Sequence, residues 1–434
     1  MNNAITFKKN FIPNIFIYIF YYVVFEGVFR KWITPGLNLQ IILIRDAIVI
    51  FAIMIGFSEK YFDIKSNLEK SLFFLTFIVL FWMIIQSIFN NLHIGIFLIG
   101  FRNWIIYFWF AVLIYRTFEN LDLDRFSKKI SYIMIPISIL VYFQYNLPPE
   151  HILNLQPGGG VVYLVVDGIV RTTGTFTFTS GYAQYIAFTT PFILYILFDN
   201  KKKSSVTLKT VLLISFIICN LYSGSRDLLW SSMAMTFFAF FINNSNKNFI
   251  IRFLIYALIT YITLQIFSET ISSMLERMEN ASRAQPVSER MLDMLLGEPN
   301  HMTGQSLWST FSFIGKGIGM GSNLSKIFTG QVFVLGEYES TRIINEGGFM
   351  GVLFLFSKFI FSFFIIYKTS KIYTRYKDIL PLYFGIFFAT QLLLRNTTGQ
   401  LTGHAFTALG LGFIIYLLNK KYEQTEENNS SNND

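Results

Sequence analysis

The chain has 434 residues, of which 53% are hydrophobic and only 14% charged, with a net charge of +9. Soluble domains carry about a quarter charged residues, and no water-soluble core of this chain length hides 50 phenylalanines. The figures exclude a soluble enzyme, a disordered chain and a secreted disulfide scaffold, and they leave a polytopic membrane protein.

A membrane-spanning helix needs roughly 20 mostly apolar residues. In chain order, apolar runs predict spans near 11–29, 39–57, 71–90, 96–116, 130–147, 182–198, 207–222, 228–243, 249–267, 345–367, 379–395 and 403–419, twelve in all. Backbone groups in lipid must be bonded within their own segment, so these are helices and the expected fold is all-α. The first span is long and followed by many others, which reads as an anchor and not a cleaved leader. No repeat of fixed period is visible. The lone Cys219 lies in an apolar run and supplies neither a disulfide framework nor a thiolate cluster.

With the N-terminus in the cytoplasm, every inner loop is basic, from Lys8 and Lys9 through Lys201 to Lys203 and on to Lys420 and Lys421. The short outer loops hold only Arg30, Lys31, Arg171, Arg226 and Arg395. That is the positive-inside pattern, with both termini cytoplasmic. The positive charge is therefore mostly topology, and no nucleic-acid partner is expected. Residues 1–267 form nine spans with a medium outer loop at 148–181. Residues 268–343 form a long outer loop, 344–421 carry three more spans, and 422–434 read as a disordered tail. Helical stretches at Ile271–Glu279 and Ser288–Leu296 predict that the long loop is a small folded cap.

Four outer-side arginines go against positive-inside pressure: Arg171, Arg226, Arg290 and Arg342. Each guanidinium can fork onto a phosphate, and several converging on one cavity would make a diphosphate site. The plainer alternative is a set of solvated or ion-paired arginines at helix ends. Arg226 stands in the tight turn Ser223-Gly224-Ser225, where small residues admit a ligand, although Asp227 also offers it a local pair.

Ionisable residues within spans are costly and usually paired or functional. Glu26, Arg30, Arg45 and Asp46 read as one structural network toward the outer leaflet, and Arg102 opens the fourth span on the same side. Lys358, mid-span in the tenth, must face the interior or snorkel. Glu346 opens that span and has a sufficient structural reason there, the helix dipole. In the functional reading it or Glu339 accepts a proton or pairs an arginine. Gly347, Gly348 and Gly351 permit close packing or substrate approach.

The run Gly315-Lys316-Gly317-Ile318-Gly319-Met320-Gly321 lacks the spacing of a phosphate loop and reads as a flexible turn beneath the cap. His93, His151, His301 and His404 are scattered, so no metal is expected; His404, near the outer end of the last span, is a candidate proton carrier. Asp122-Leu123-Asp124 has the spacing of a metal and nucleotide-sugar motif but is read as a helix start.

Four stretches resemble the O-antigen polymerase and O-antigen ligase superfamily. They are RTTGTFTFTSGYAQYIAF (171–188), SGSRDLLW (223–230), SER…FIGKGIGMGS (288–322) and ESTRIINEGGFMGVLFLF (339–356). FEGVFRKW (25–32) is similar to polymerase-like members. The resemblance implies a GT-C-like, all-helical glycosyltransferase of the bacterial inner membrane. It takes glycans from undecaprenyl diphosphate at the periplasmic face and uses no cofactor, metal or nucleotide sugar. The family's arginines map onto Arg171, Arg226 and Arg290, and less securely onto Arg342.

Ligase members carry a histidine shortly before the Glu-x-Gly helix, whereas this chain reads Glu337 and Glu339 there. The polymerase is therefore the expected activity, with a carboxylate such as Glu339 or Glu346 as base. A ligase, or a flippase of lipid-linked glycans, is the alternative. A flippase and a chain-length regulator are the implied protein partners, beside the bilayer itself. Trp32, Trp104, Tyr163, Trp308 and Tyr338 are candidates for sugar stacking, although interfacial belts explain most of them.

Overall fold

The structure, a computed structural model, describes residues 11–119, 121–158, 165–166, 169–198, 205–242, 249–266, 286–298, 306–330, 335–336 and 338–420, with isolated positions at 268, 272, 276 and 279. Tyr163, His301, Glu337, most of the predicted helix at Ile271–Glu279 and the tail at 422–434 lie outside the described residues.

The chain is a helical membrane protein. Its helices are α1 (Ile15–Val28), α2 (Asn38–Ser58), α3 (Asn67–Phe89), α4 (Ile94–Phe101), α5 (Tyr107–Thr117), α6 (Leu123–Ser131), α7 (Met134–Asn146) and α8 (Thr179–Phe198). There follow α9 (Val206–Tyr222), α10 (Arg226–Ile242), α11 (Phe249–Ile266), α12 (Val287–Leu296), α13 (Glu339–Gly347), α14 (Phe349–Tyr376), α15 (Ile379–Leu394) and α16 (Leu401–Asn419). One antiparallel hairpin, β1 (Val165–Val166) with β2 (Ile169–Val170), lies between α7 and α8. Among the described residues, eight helical segments are long and apolar enough to cross a membrane: Ile12–Ile33, Pro35–Ser58, Asn67–Phe89, Ile94–Thr117, Leu123–Asn146, Thr179–Phe198, Phe349–Tyr376 and Leu401–Asn419. The other predicted segments are helical too, as α9, α10, α11 and α15, but shorter or less fully described.

Helix α8 is the axis of the bundle. It packs against α6, α9, α10, α15 and α16, and nearly all of its residues are buried inside the protein. Around it Phe16, Phe188, Phe192, Phe384 and Phe413 make edge and tilted ring contacts between 4.8 and 6.3 Å. Helices α3 and α14 are peripheral and expose Phe74, Phe77, Phe81, Phe356 and Phe363, as surfaces that meet lipid do.

Two kinds of interruption position the buried charges. π-helical turns at Phe29–Ile33 and at Arg102–Ile106 carry Arg30 and Arg102, and such turns re-aim side chains within an otherwise regular helix. The tenth span begins later than its hydropathy predicts. Gly348, at φ +57°, separates α13 from α14, so Glu346 does not open the span. It lies in the last turn of a separate nine-residue helix, where the dipole gives it no support. The N-terminal acid of that helix is Glu339.

The glycine run at 315–321 is likewise not a flexible turn. Gln86 on α3 holds it by donating to the Ile314 carbonyl (2.6 Å) and accepting from the Ile318 N–H (2.9 Å). Asn90 donates to the Gly315 carbonyl, and Phe349 and Lys316 pair their backbones with Phe313 and Asn345. Gly315, Gly317 and Gly319 all have positive φ, which lets the backbone lie flat against α4 and the α13–α14 junction. Asp122 starts a helix as predicted, its side chain accepting from the N–H groups of Asp124 and Arg125.

Candidate functional site

Two buried ion networks are built at the end of the bundle where α1 and α7 finish and α8, α14 and α16 begin. The first joins α1, α2, α4 and α5. Glu26 accepts from Arg30 (2.7 Å) and from Arg45 (2.9 Å). Arg102 forks onto both oxygens of Asp46 at 2.6 and 3.0 Å. The Tyr107 hydroxyl links the halves, donating to Asp46 (2.7 Å) and accepting from Arg45 (3.1 Å). Every one of these side chains is buried. The four residues read from sequence as a structural network are indeed one, with Arg102 and Tyr107 added.

The second network joins α13, α14 and the connection between α15 and α16. Arg342, 2% exposed, donates to Glu346 (3.2 Å), Glu339 (3.2 Å), Thr398 Oγ1 (2.6 Å) and Asn396 Oδ1 (3.3 Å). Lys358 donates to the second oxygen of Glu339; it faces the interior and does not snorkel. Glu339 also accepts from the N–H groups of Thr397 and Thr398 and from both hydroxyls. Glu346 accepts from the Gly321 N–H at 2.7 Å, so the glycine strap closes this network from above.

The close fit shows at Gly399, where a Cβ would stand 2.5 Å from Arg342 Nε. Burial opposes ionisation of Glu339, but Lys358 and Arg342 outweigh it and hold its carboxyl below the ordinary glutamate range. Burial raises the carboxyl of Glu346 against the pull of Arg342 and of the Gly321 N–H. Two carboxylates about two helical turns apart on α13 thus lean in opposite directions.

The other predicted residues stand on several elements. Arg171 donates to the Gly224 carbonyl at 3.3 Å, and Thr172 donates to that of Tyr222 at 2.7 Å. Arg171 therefore rests on the turn that leads into Arg226, the first residue of α10; the side chain of Arg226 lies outside the described residues. Arg290 is half-buried on α12, which packs on α13, with Ser340 donating to the Asp293 carbonyl. Glu339, Arg342 and Glu346 are brought together. Arg171 and Arg290 are not part of their cluster.

His404 packs its ring on Tyr107, with centroids 4.2 Å apart, and lines a cavity of about 260 Å³ together with Lys358, Thr397 and Thr398. Trp104 is buried, while Trp308 is 52% exposed. Asn396, Thr397 and Thr398 are not singled out by the sequence alone. The signal is present as Asn-Thr-Thr-Gly between two apolar runs, but hydroxyl residues between spans are too common to be distinctive.

Compared with known protein families, with curated proteins and with solved structures, the chain finds no match.

Proposed function

We propose that the protein is a polysaccharide polymerase of twelve spans with both termini in the cytoplasm. It would transfer glycan from a polyprenyl diphosphate to a second lipid-linked glycan at the outer face of the bacterial inner membrane. One observation carries the reading. The four stretches that resemble the O-antigen polymerase and ligase superfamily are dispersed over almost 190 residues of sequence, from 171 to 356, yet they form one connected layer. The first meets the second where Arg171 and Thr172 bond the 222–224 backbone. The third meets the fourth where Gly321 bonds Glu346 and Phe313 bonds Phe349. The connection at Asn396 ties the pairs together, since its carbonyl accepts from Gln184 and its side chain from Arg342.

In this reading Arg171 and Arg226 neutralise the leaving diphosphate, where charge develops in the transition state, and Arg290 approaches from the cap. Glu339, its oxygens taken up by Lys358, Arg342 and two threonines, holds the cations in place. That leaves Glu346 and His404 as the groups from which the acceptor's proton transfer is drawn. The basic inner loops set the orientation.

The test is Arg226→Ala, examined in cells for polymer and for protein level. The expected outcome is loss of polymer by more than tenfold at normal protein level; polymer of near-normal length and amount would remove Arg226 from the mechanism. Purified protein given lipid-linked repeat units without any gradient should elongate them. Transport without elongation would favour the flippase, and transfer to a different acceptor the ligase.

A further inference from the structure

One cavity lies between the two ion networks, and neither network accounts for it. It is about 260 Å³, bounded by α5, α14, α15 and α16. Its polar lining includes Lys358, Thr397, Thr398 and His404, with Tyr107, Ser357 and Thr407, and its apolar wall includes Phe361, Leu392 and Leu411. At a rise of 1.5 Å per residue, Leu411 lies about 15 Å along α16 from Leu401, and Phe361 about 18 Å along α14 from Phe349. The cavity is thus a polar chamber continued by an oily shaft toward the middle of the bilayer, whose hydrocarbon core is about 30 Å thick.

The chamber has unspent capacity for an anion. Lys358 has three N–H donors; Glu339 takes one, and the next contact, Thr397 Oγ1, is as far as 3.5 Å. His404 is 3% exposed and its Nδ1 has no hydrogen-bond partner. With its other nitrogen on the Asn103 backbone, the neutral imidazole offers a lone pair at Nδ1, which accepts the remaining P–O–H of a singly ionised phosphate. Arg342 and Lys358 are matched by Glu339 and Glu346, but in the neighbouring network three buried cations, Arg30, Arg45 and Arg102, face two carboxylates, Glu26 and Asp46, and Tyr107 of that network lines the cavity. An uncompensated positive charge at this depth is costly unless an anion meets it.

We infer that this cavity binds a single-chain lipid phosphate, the phosphate between Lys358 and His404 and the chain along Phe361, Leu392 and Leu411. At about 260 Å³, below the roughly 300–1,000 Å³ of ordinary ligand pockets, the cavity has room for the phosphate and the first part of one chain, with the rest leaving past the exposed Ser357. The site is separate from the Arg171 turn. It deepens the proposed function, because a polyprenyl phosphate is a lipid of this class, and in that respect rests on that reading. The same chemistry is offered by single-chain phospholipids of the bilayer.

The experiment uses the purified full-length protein in detergent, with geranylgeranyl phosphate as probe and thermophoresis as readout. Geranylgeranyl phosphate should bind saturably, and geranylgeraniol and inorganic phosphate at least tenfold more weakly. Lys358→Gln should weaken the probe at least tenfold. Ala408→Phe, which fills the shaft without touching a charge, should do the same and decides the matter if the lysine variant does not fold.

Wild-type affinity in Ala408→Phe, or equal binding of geranylgeraniol, overturns the inference, as does equal competition by two-chain dioleoyl phosphatidate. Competition by lysophosphatidate tenfold weaker than by the isoprenyl phosphate supports the site with the carrier lipid as source. Equal competition by lysophosphatidate supports it with the bilayer as source. Binding that survives while the purified protein fails to elongate lipid-linked repeat units defeats the polymerase reading and leaves this site standing.

Discussion

The two buried ion networks use the same residue types and are closed in different ways. Around Glu26 and Asp46, the carboxylates are bonded by side chains carried on helices, and the guanidinium of Arg102 matches Asp46 edge to edge. Around Glu339 and Glu346, backbone N–H groups of Thr397, Thr398 and Gly321 take part, and all three belong to connections between helices. The first network is a product of helix packing and is complete once α1, α2, α4 and α5 meet. The second exists only when the loops fold over the helix ends, and a cavity remains beside it. The helical network is closed by side chains alone; the one completed by loops contributes Lys358, Thr397 and Thr398 to the wall of the cavity.

The two networks should part most sharply at their acids. Asp46→Asn leaves Arg102 buried without its counter-ion, a loss of about 3–5 kcal/mol for a buried pair. Glu339→Gln does the same to Lys358, while Arg342 keeps Glu346, at a similar cost. The difference lies in function: polymer made per folded molecule stays near wild type in Asp46→Asn and falls severalfold in Glu339→Gln. Thermal unfolding in detergent together with polymer per unit of protein measures both, and equal specific losses in the two would erase the distinction.

A smaller effect is expected at Gly348. A side chain there would adopt φ +57° and place its Cβ 2.2 Å from the Phe313 carbonyl oxygen. Gly348→Ala should cost at least the roughly 1–3 kcal/mol of a strained backbone and should loosen the glycine strap, read as faster hydrogen exchange at 315–321 with α1 and α2 unaffected. The smallest effect belongs to the opposite end of the bundle. Asp122→Ala removes a helix cap worth about 1 kcal/mol, and it should lower the unfolding midpoint slightly with polymer unchanged.

One physical fact made much of the fold legible in the sequence: lipid demands long apolar helices and penalises charges within them. The predicted spans fall on helical stretches, eight of them long and apolar enough to cross a membrane among the described residues, and Glu26, Arg30, Arg45 and Asp46 are recognisable as a network because four charges in apolar runs have few partners other than one another. The position of Glu346 was not legible. Hydropathy places the start of the tenth span near 345, and only the positive φ of Gly348 divides α13 from α14.

Composition and hydropathy by themselves determined that this chain is a helical membrane protein, where its helices lie, and which charges had to be buried, because burial in lipid is a property of each segment alone. Tertiary structure decided that Lys358 pairs with Glu339 across 19 residues, that Thr397 and Thr398 complete the pair, and that the glycine run is a strap bonded to Gln86. Those contacts join residues from separate helices and loops, and hydrogen bonds of a few ångströms between distant segments leave no periodic mark on the chain that makes them.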